Sequence, residues 1–263
     1  MTVNSGIKWV LFTWIGFALQ SNLLAAKVSI EYAKPNSSKY LEVYKALKSK
    51  HRLIYGESIS YLNGLYLWQN DIKILVTECG AVDSRYLSDQ KLIVICYESL
   101  YQKIYDYPER AKFKEAFVRR VYQNSMFTFW HEMGHALMDQ YGLGMDSDMK
   151  AHELLADEFA ILSMLWRNDS QWKDIVMISA LHFKSKSALT PDKKYQIHPS
   201  DEMRYEKMMV LLYGFAQKSY LRLKPEVESL NWLHISAQEY YLERSAFWER
   251  NLRNHVRRDF FNN

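Results

Sequence analysis

The order of apolar and polar positions along the chain changes period several times, and each change predicts an element. Residues 37–51 place Tyr40, Val43, Tyr44 and Leu47 at i, i+3, i+4 and i+7, with Lys39, Glu42, Lys45 and Lys50 off that stripe. The pattern predicts an amphipathic helix capped by Asn36 or Ser37. Residues 52–68 mix aromatics with Gly56, Asn63 and Gly64 and read as short strands or an ordered loop. Residues 71–77 alternate and then turn apolar, and residues 91–96 are apolar after Lys91. Both read as strands, joined by a polar loop through Asp83, Ser84, Ser88 and Asp89. From there on the period is helical. The predicted helices cover residues 98–107, a long stretch from 109 that continues through His135 or breaks near Asn124-Ser125, then 150–166 and 171–183. A surface loop rich in Lys and Ser is expected at 184–196. Pro199, followed by acidic residues, marks the start of a further helix through 216. A last long helix is expected over 225–247, and a frayed basic tail over 253–263.

Within the long helical stretch stands His131-Glu132-Met133-Gly134-His135. On a helix, residues at i and i+4 leave one face, so both imidazoles point the same way. Two neutral imidazoles at that spacing can bind one Zn²⁺ at roughly 2.0–2.1 Å each. Glu132 sits one step round the helix, where a carboxylate reaches a zinc-bound water as general base without being a ligand. Phe127, Trp130, Met133, Ala136, Leu137 and Tyr141 give the motif a helical apolar context, and Gly142 and Gly144 supply the stop. A third histidine six residues after the second is excluded, because Tyr141 stands there. The next acidic helix offers Glu153 and Asp157 at i and i+4, with Glu153 eighteen residues after His135. Glu153 would complete a His₂Glu site, and Asp157 would accept the free N–H of a ligand histidine. Glu158 reads as part of a solvated face. His152 is a rival ligand, but it points roughly 100° away from Glu153 on an ideal helix, so both cannot easily serve one ion.

H-E-x-x-H followed by E-x-x-x-D resembles the gluzincin group of zinc metallopeptidases. More narrowly, the chain resembles a family of secreted bacterial metallopeptidase-like proteins. The shared marks are Cys79-Gly80, Ile95-Cys96-Tyr97-Glu98, the His131–His135 motif, the helix from Glu153 to Ala160, His198 with Arg204, and Tyr213-Gly214. They run over most of the chain after residue 60. The resemblance implies an α+β fold: a mainly helical, zincin-like minidomain with a small sheet beside the metal helix. It implies Zn²⁺ on His131, His135 and Glu153, Glu132 as general base, and a peptide or protein substrate. It also implies that one of the two predicted strands lies along the cleft with a free edge that pairs with extended peptide. A histidine outside the zinc helices donates to the developing oxyanion in such enzymes. His198 is the candidate here, with Arg204 as its orienter or as a partner for a substrate carboxylate.

Composition narrows this picture modestly. The 263 residues, 48% hydrophobic and 24% charged, are ordinary for a globular protein, and nothing reads as a linker. The expectation is one domain over residues 27–263. A net charge of +4 is no nucleic-acid signature. Residues 1–26 read as a signal peptide, with Lys8 ending a short n-region, an eleven-residue apolar run from Trp9 to Leu19, and Ala25 or Ala26 at the cleavage site. That predicts export to the periplasm or beyond, with no stable membrane insertion after cleavage. Two cysteines allow one disulfide. Export favours the bond. An antiparallel hairpin opposes it, since Cys79 and Cys96 would lie at opposite ends, more than about 10 Å apart, where a disulfide needs Cα atoms within about 7 Å. The alternative to a peptidase is a non-catalytic, zinc-bearing binding or regulatory protein of the cell envelope.

Overall fold

The computed structural model describes residues 26–105, 114–144, 148–189 and 199–257. The signal-peptide reading falls on residues 1–25 and outside that range, apart from Ala26; His198 and residues 190–197 of the expected loop also lie outside it. The architecture is α+β: a small four-stranded sheet beside a larger body of helices.

The sheet comprises β1 (Val28–Tyr32), β2 (Ile72–Thr77), β3 (Arg85–Leu87) and β4 (Leu92–Cys96), in the order β1-β2-β4-β3. The two strands expected from the sequence, β2 and β4, do pair, but in parallel, with Ile74 opposite Ile93 and Thr77 opposite Cys96. β3 hides in the polar connection between them and pairs antiparallel with β4. This corrects the hairpin. Parallel neighbours leave the sheet at the same end, so Cys79 and Cys96 come together as a disulfide with Cα atoms 5.5 Å apart. It also corrects the expected free edge. β2 and β4 are interior strands, and the edges are β1 and β3.

The helices are α1 (Leu41–Ser49), α2 (Glu57–Leu65), α3 (Tyr97–Tyr105), α4 (Lys114–Tyr141), α5 (Met149–Trp166), α6 (Ser170–Leu189), α7 (Asp201–Phe215), α8 (Lys224–Glu228) and α9 (Ala237–Leu252). Four sequence readings change. Residues 52–68 are mainly helical, a π turn at Arg52–Gly56 leading into α2. Ile54, Ser58, Leu62 and Leu65, spaced at ordinary helical steps, share a buried side. The last long helix is two helices. Ser236 starts α9 with a capping box, accepting from the Glu239 amide while Glu239 reaches back to the Ser236 amide. The expected loop at 184–196 is helical as far as Leu189, and the tail is tied down as far as Arg257, whose amide donates to the Leu65 carbonyl at 2.9 Å.

α4 is buried over most of its second half. Phe127, Phe129, Trp130, Met133, Ala136, Leu137 and Met138 are all in the core, because α4 packs against α5, α6, α3 and the sheet. A helix surrounded in this way needs apolar residues all round. It runs unbroken past Asn124-Ser125, and the Ser125 hydroxyl donates to the Tyr122 carbonyl at 2.9 Å. Among the described residues, no helix is long and apolar enough to cross a membrane.

Candidate metal centre

The centre lies where α4 and α5 come closest. Gly134 makes that approach possible. A Cβ there would lie 3.0 Å from the Ala156 Cα, 3.1 Å from its carbonyl oxygen and 3.2 Å from the Phe159 ring. With only hydrogen between them, the two backbones set His131 and His135 opposite Glu153. Asp148 caps α5, accepting from the Ala151 amide at 2.7 Å, and so fixes where the glutamate helix begins.

Three side chains converge. His131 Nε2 and His135 Nε2 are 3.2 Å apart. His131 Nε2 is 3.3 Å from Glu153 Oε2, and His135 Nε2 is 3.3 Å from Glu153 Oε1. A tetrahedral ion with bonds of roughly 2.0–2.1 Å places its ligand atoms about 3.3 Å from one another. The donor set, two imidazoles and a carboxylate, therefore fits a divalent ion in both chemistry and spacing.

Behind His131 stands Asp157, its Oδ1 2.8 Å from Nδ1. A carboxylate on the far nitrogen holds the ring in the tautomer that offers Nε2 to a metal. Arg204, from α7, clamps the same carboxylate with two N–H donors, at 2.7 and 2.5 Å. Its guanidinium also lies over the Phe183 ring, 4.2 Å from the centroid. Burial alone would lower the pKa of His131. The hydrogen bond and charge of Asp157, with help from Glu153 and Glu132, outweigh it and raise the value to about 9. Burial would raise the pKa of Asp157, but the Arg204 charge and the His131 bond bring it to about 2. His135 is shifted down by burial, which its contact with Glu153 only partly opposes.

Glu132 is buried at 4% exposure, yet it lines two cavities together with His131, Asp83 and Ser84. One cavity, of about 260 Å³, extends toward Phe127 and the α6 residues His182 and Phe183. The other, of about 420 Å³, extends toward Met138, His152 and β3. The wall they share is the loop held by the disulfide. There Glu98 accepts the amides of Cys79 and Gly80, the latter at 2.7 Å, and the Ser84 hydroxyl accepts the Cys96 amide at 3.1 Å. β3 is pinned to the metal helix by Asp139, which accepts the Tyr86 hydroxyl at 2.7 Å and the Lys91 ammonium at 2.6 Å.

Most of the sequence-predicted site residues come together. His131, Glu132, His135, Glu153 and Asp157 form one cluster, and Arg204 joins it as the partner of Asp157. His198 lies outside the described residues. Glu158 is a correction. It is not solvated but buried at 3% exposure, bonded to Arg244 and to the Trp248 indole at 2.7 Å. Sequence reasoning missed β3 and Asp139, although Asp139 continues the i+4 stripe of His131 and His135. It read His152 as a rival to Glu153 for the ion, whereas the ring stands behind His135.

No curated protein and no solved structure matches the chain. A family described as "putative metallopeptidase" matches residues 32–252, a span that holds every residue of the cluster and the disulfide. The chain belongs to that metallopeptidase family.

Proposed function

We propose that the protein is an exported zinc peptidase of the gluzincin type that hydrolyses peptide bonds, with His131, His135 and Glu153 as zinc ligands. The observation that carries this reading is the convergence of three side chains, with the two Nε2 atoms 3.2 Å apart and each 3.3 Å from one oxygen of Glu153, and with Glu132 beside them facing both cavities. Zn²⁺ in such a site supplies Lewis-acid polarisation of a carbonyl and brings the pKa of water toward roughly 7. Glu132 takes the proton of the attacking water and passes it to the leaving amine. Its low exposure keeps that transfer away from bulk solvent.

The edge strand β3 offers its backbone to an extended peptide running past Glu132, and Asp139 keeps the strand in place for that pairing. His198 directly precedes Pro199 and the α7 cap Ser200, and we assign it the donor role toward the oxyanion. Arg204 acts through Asp157 rather than on a substrate carboxylate. Export is supported by the disulfide between Cys79 and Cys96, a bond that persists in oxidising compartments.

The test is Glu132→Gln. Hydrolysis of a peptide library should fall by at least about 100-fold, the lower end of what a general base contributes, while zinc content stays at that of the wild type. Undiminished hydrolysis with zinc still bound would overturn the mechanism. Zinc retained in Glu153→Ala would overturn the ligand set.

A further inference from the structure

His131 and His135 are supported differently, and the support of His135 leads to a residue with no role so far. His135 turns Nε2 toward Glu153 and His131. Its other nitrogen, Nδ1, meets Nδ1 of His152 at 3.2 Å, and the two ring planes are only 18° apart. A neutral imidazole carries one N–H. If His135 offers Nε2 as a ligand, its hydrogen sits on Nδ1. The contact is then a hydrogen bond only if His152 accepts through an unprotonated Nδ1, which places the hydrogen of His152 on its own Nε2. Each tautomer fixes the next.

We infer that His152 is a positioning residue of the metal centre: it accepts the Nδ1–H of His135 and so holds that ring in its ligating tautomer. This rests on the ligand set proposed above. The arrangement explains why His152 directly precedes Glu153 on α5 without competing with it. Adjacent helical positions point roughly 100° apart, so Glu153 faces the donor cluster from the front while His152 reaches His135 from behind. It also gives the centre two kinds of support, a carboxylate with an arginine behind His131 and a neutral ring behind His135. His152 lines the larger cavity, so the same ring helps to shape the cleft.

The experiment measures the rate at which zinc leaves the full-length protein to a chelating dye, for wild type, His152→Asn and His152→Phe. Phe keeps the flat ring but accepts no hydrogen bond, and should lose zinc about 10–100-fold faster, the usual cost of removing such a partner. Asn can still accept through its side-chain oxygen and should stay within about threefold of wild type. In parallel, ¹⁵N shifts of the zinc-loaded wild type should report a His152 protonated at Nε2 and bare at Nδ1. Equal zinc loss from Phe and wild type, or equal acceleration in Asn and Phe, would overturn the inference and leave the ligand set standing. A wild type that takes up no zinc would overturn the ligand set, and this inference with it.

Discussion

Two faces of α5 carry adjacent carboxylates that look alike and do different work. Asp157 faces α4 and α7, and Glu158 faces α9. Each is about 3% exposed and each is bonded to an arginine, Arg204 or Arg244. They differ in the third partner. Asp157 also binds the far nitrogen of His131, whereas Glu158 accepts the indole N–H of Trp248. A buried ion pair is therefore no mark of function by itself, since both faces have one. What sets the Asp157 face apart is that its charge is passed to a ring whose other nitrogen points at two more donors. The Glu158 face ends in an indole, which has nothing further to offer.

The largest expected effect lies on the Glu158 face. Glu158→Ala leaves Arg244 and the Trp248 N–H without their acceptor in a buried setting, and should cost about 3–5 kcal/mol in urea unfolding. The zinc affinity of the fraction that remains folded should stay unchanged. If zinc affinity falls along with stability, the two faces are coupled and the contrast fails.

Asp157→Asn is the counterpart. It should weaken zinc binding about 10–100-fold, or roughly 1.4–2.7 kcal/mol, in a competition titration. Stability should fall as well, because Arg204 loses its counter-charge, so zinc affinity is the measurement that separates the faces.

Acid sharpens the contrast. The pKa of Asp157 is held at about 2, below its ordinary value of 3.8. A depressed carboxylate contributes stability that is present above the unfolded value and lost as pH falls through the folded one. Unfolding free energy should therefore drop between about pH 4 and 2 in the wild type, and Asp157→Asn should flatten that limb. His131 has the opposite sign. With its pKa raised to about 9, metal-stripped protein should lose stability as pH climbs from 6.5 through 9, and zinc uptake at pH 7 should release a proton from this ring.

The smallest effect belongs to a pair that shares only the charges. Arg253 and Glu249 meet at 2.8 Å on the surface of the last helix, at 65% and 40% exposure. Glu249→Gln should change stability by no more than about 0.5 kcal/mol.

The same contrast explains what could be read in advance. The metal helix and its partner were legible because their information is local: His131 with His135, and Glu153 with Asp157, each stand four residues apart, and a helix turns that spacing directly into a shared face. Glu158 was misjudged because its partners lie 86 and 90 residues further on, and no period within α5 announces what packs against it. The strand pairing failed for a related reason. Two apolar runs joined by a polar stretch suit a hairpin or a crossover equally well, and β3, only three residues long, left no alternation to detect. The objection to the disulfide fell with the hairpin, since its geometry depends wholly on the direction of β4 relative to β2. α2 was obscured because its buried stripe includes the polar Ser58 and its last turn carries Asn63 and Gly64, residues that read as turn formers.

Gly134 works like a shim left out of a joint. The distance between the two helices, and with it the size of the triangle formed by His131, His135 and Glu153, is set by a missing methyl group rather than by the ligands themselves. Ion selectivity should then be tunable from a position that touches no ion. Gly134→Ala would force Ala156 and the Phe159 ring to give way by a few tenths of an ångström, widening the aperture. In a competition titration, the preference of the centre should move from zinc toward a larger soft ion such as cadmium, with every donor atom kept.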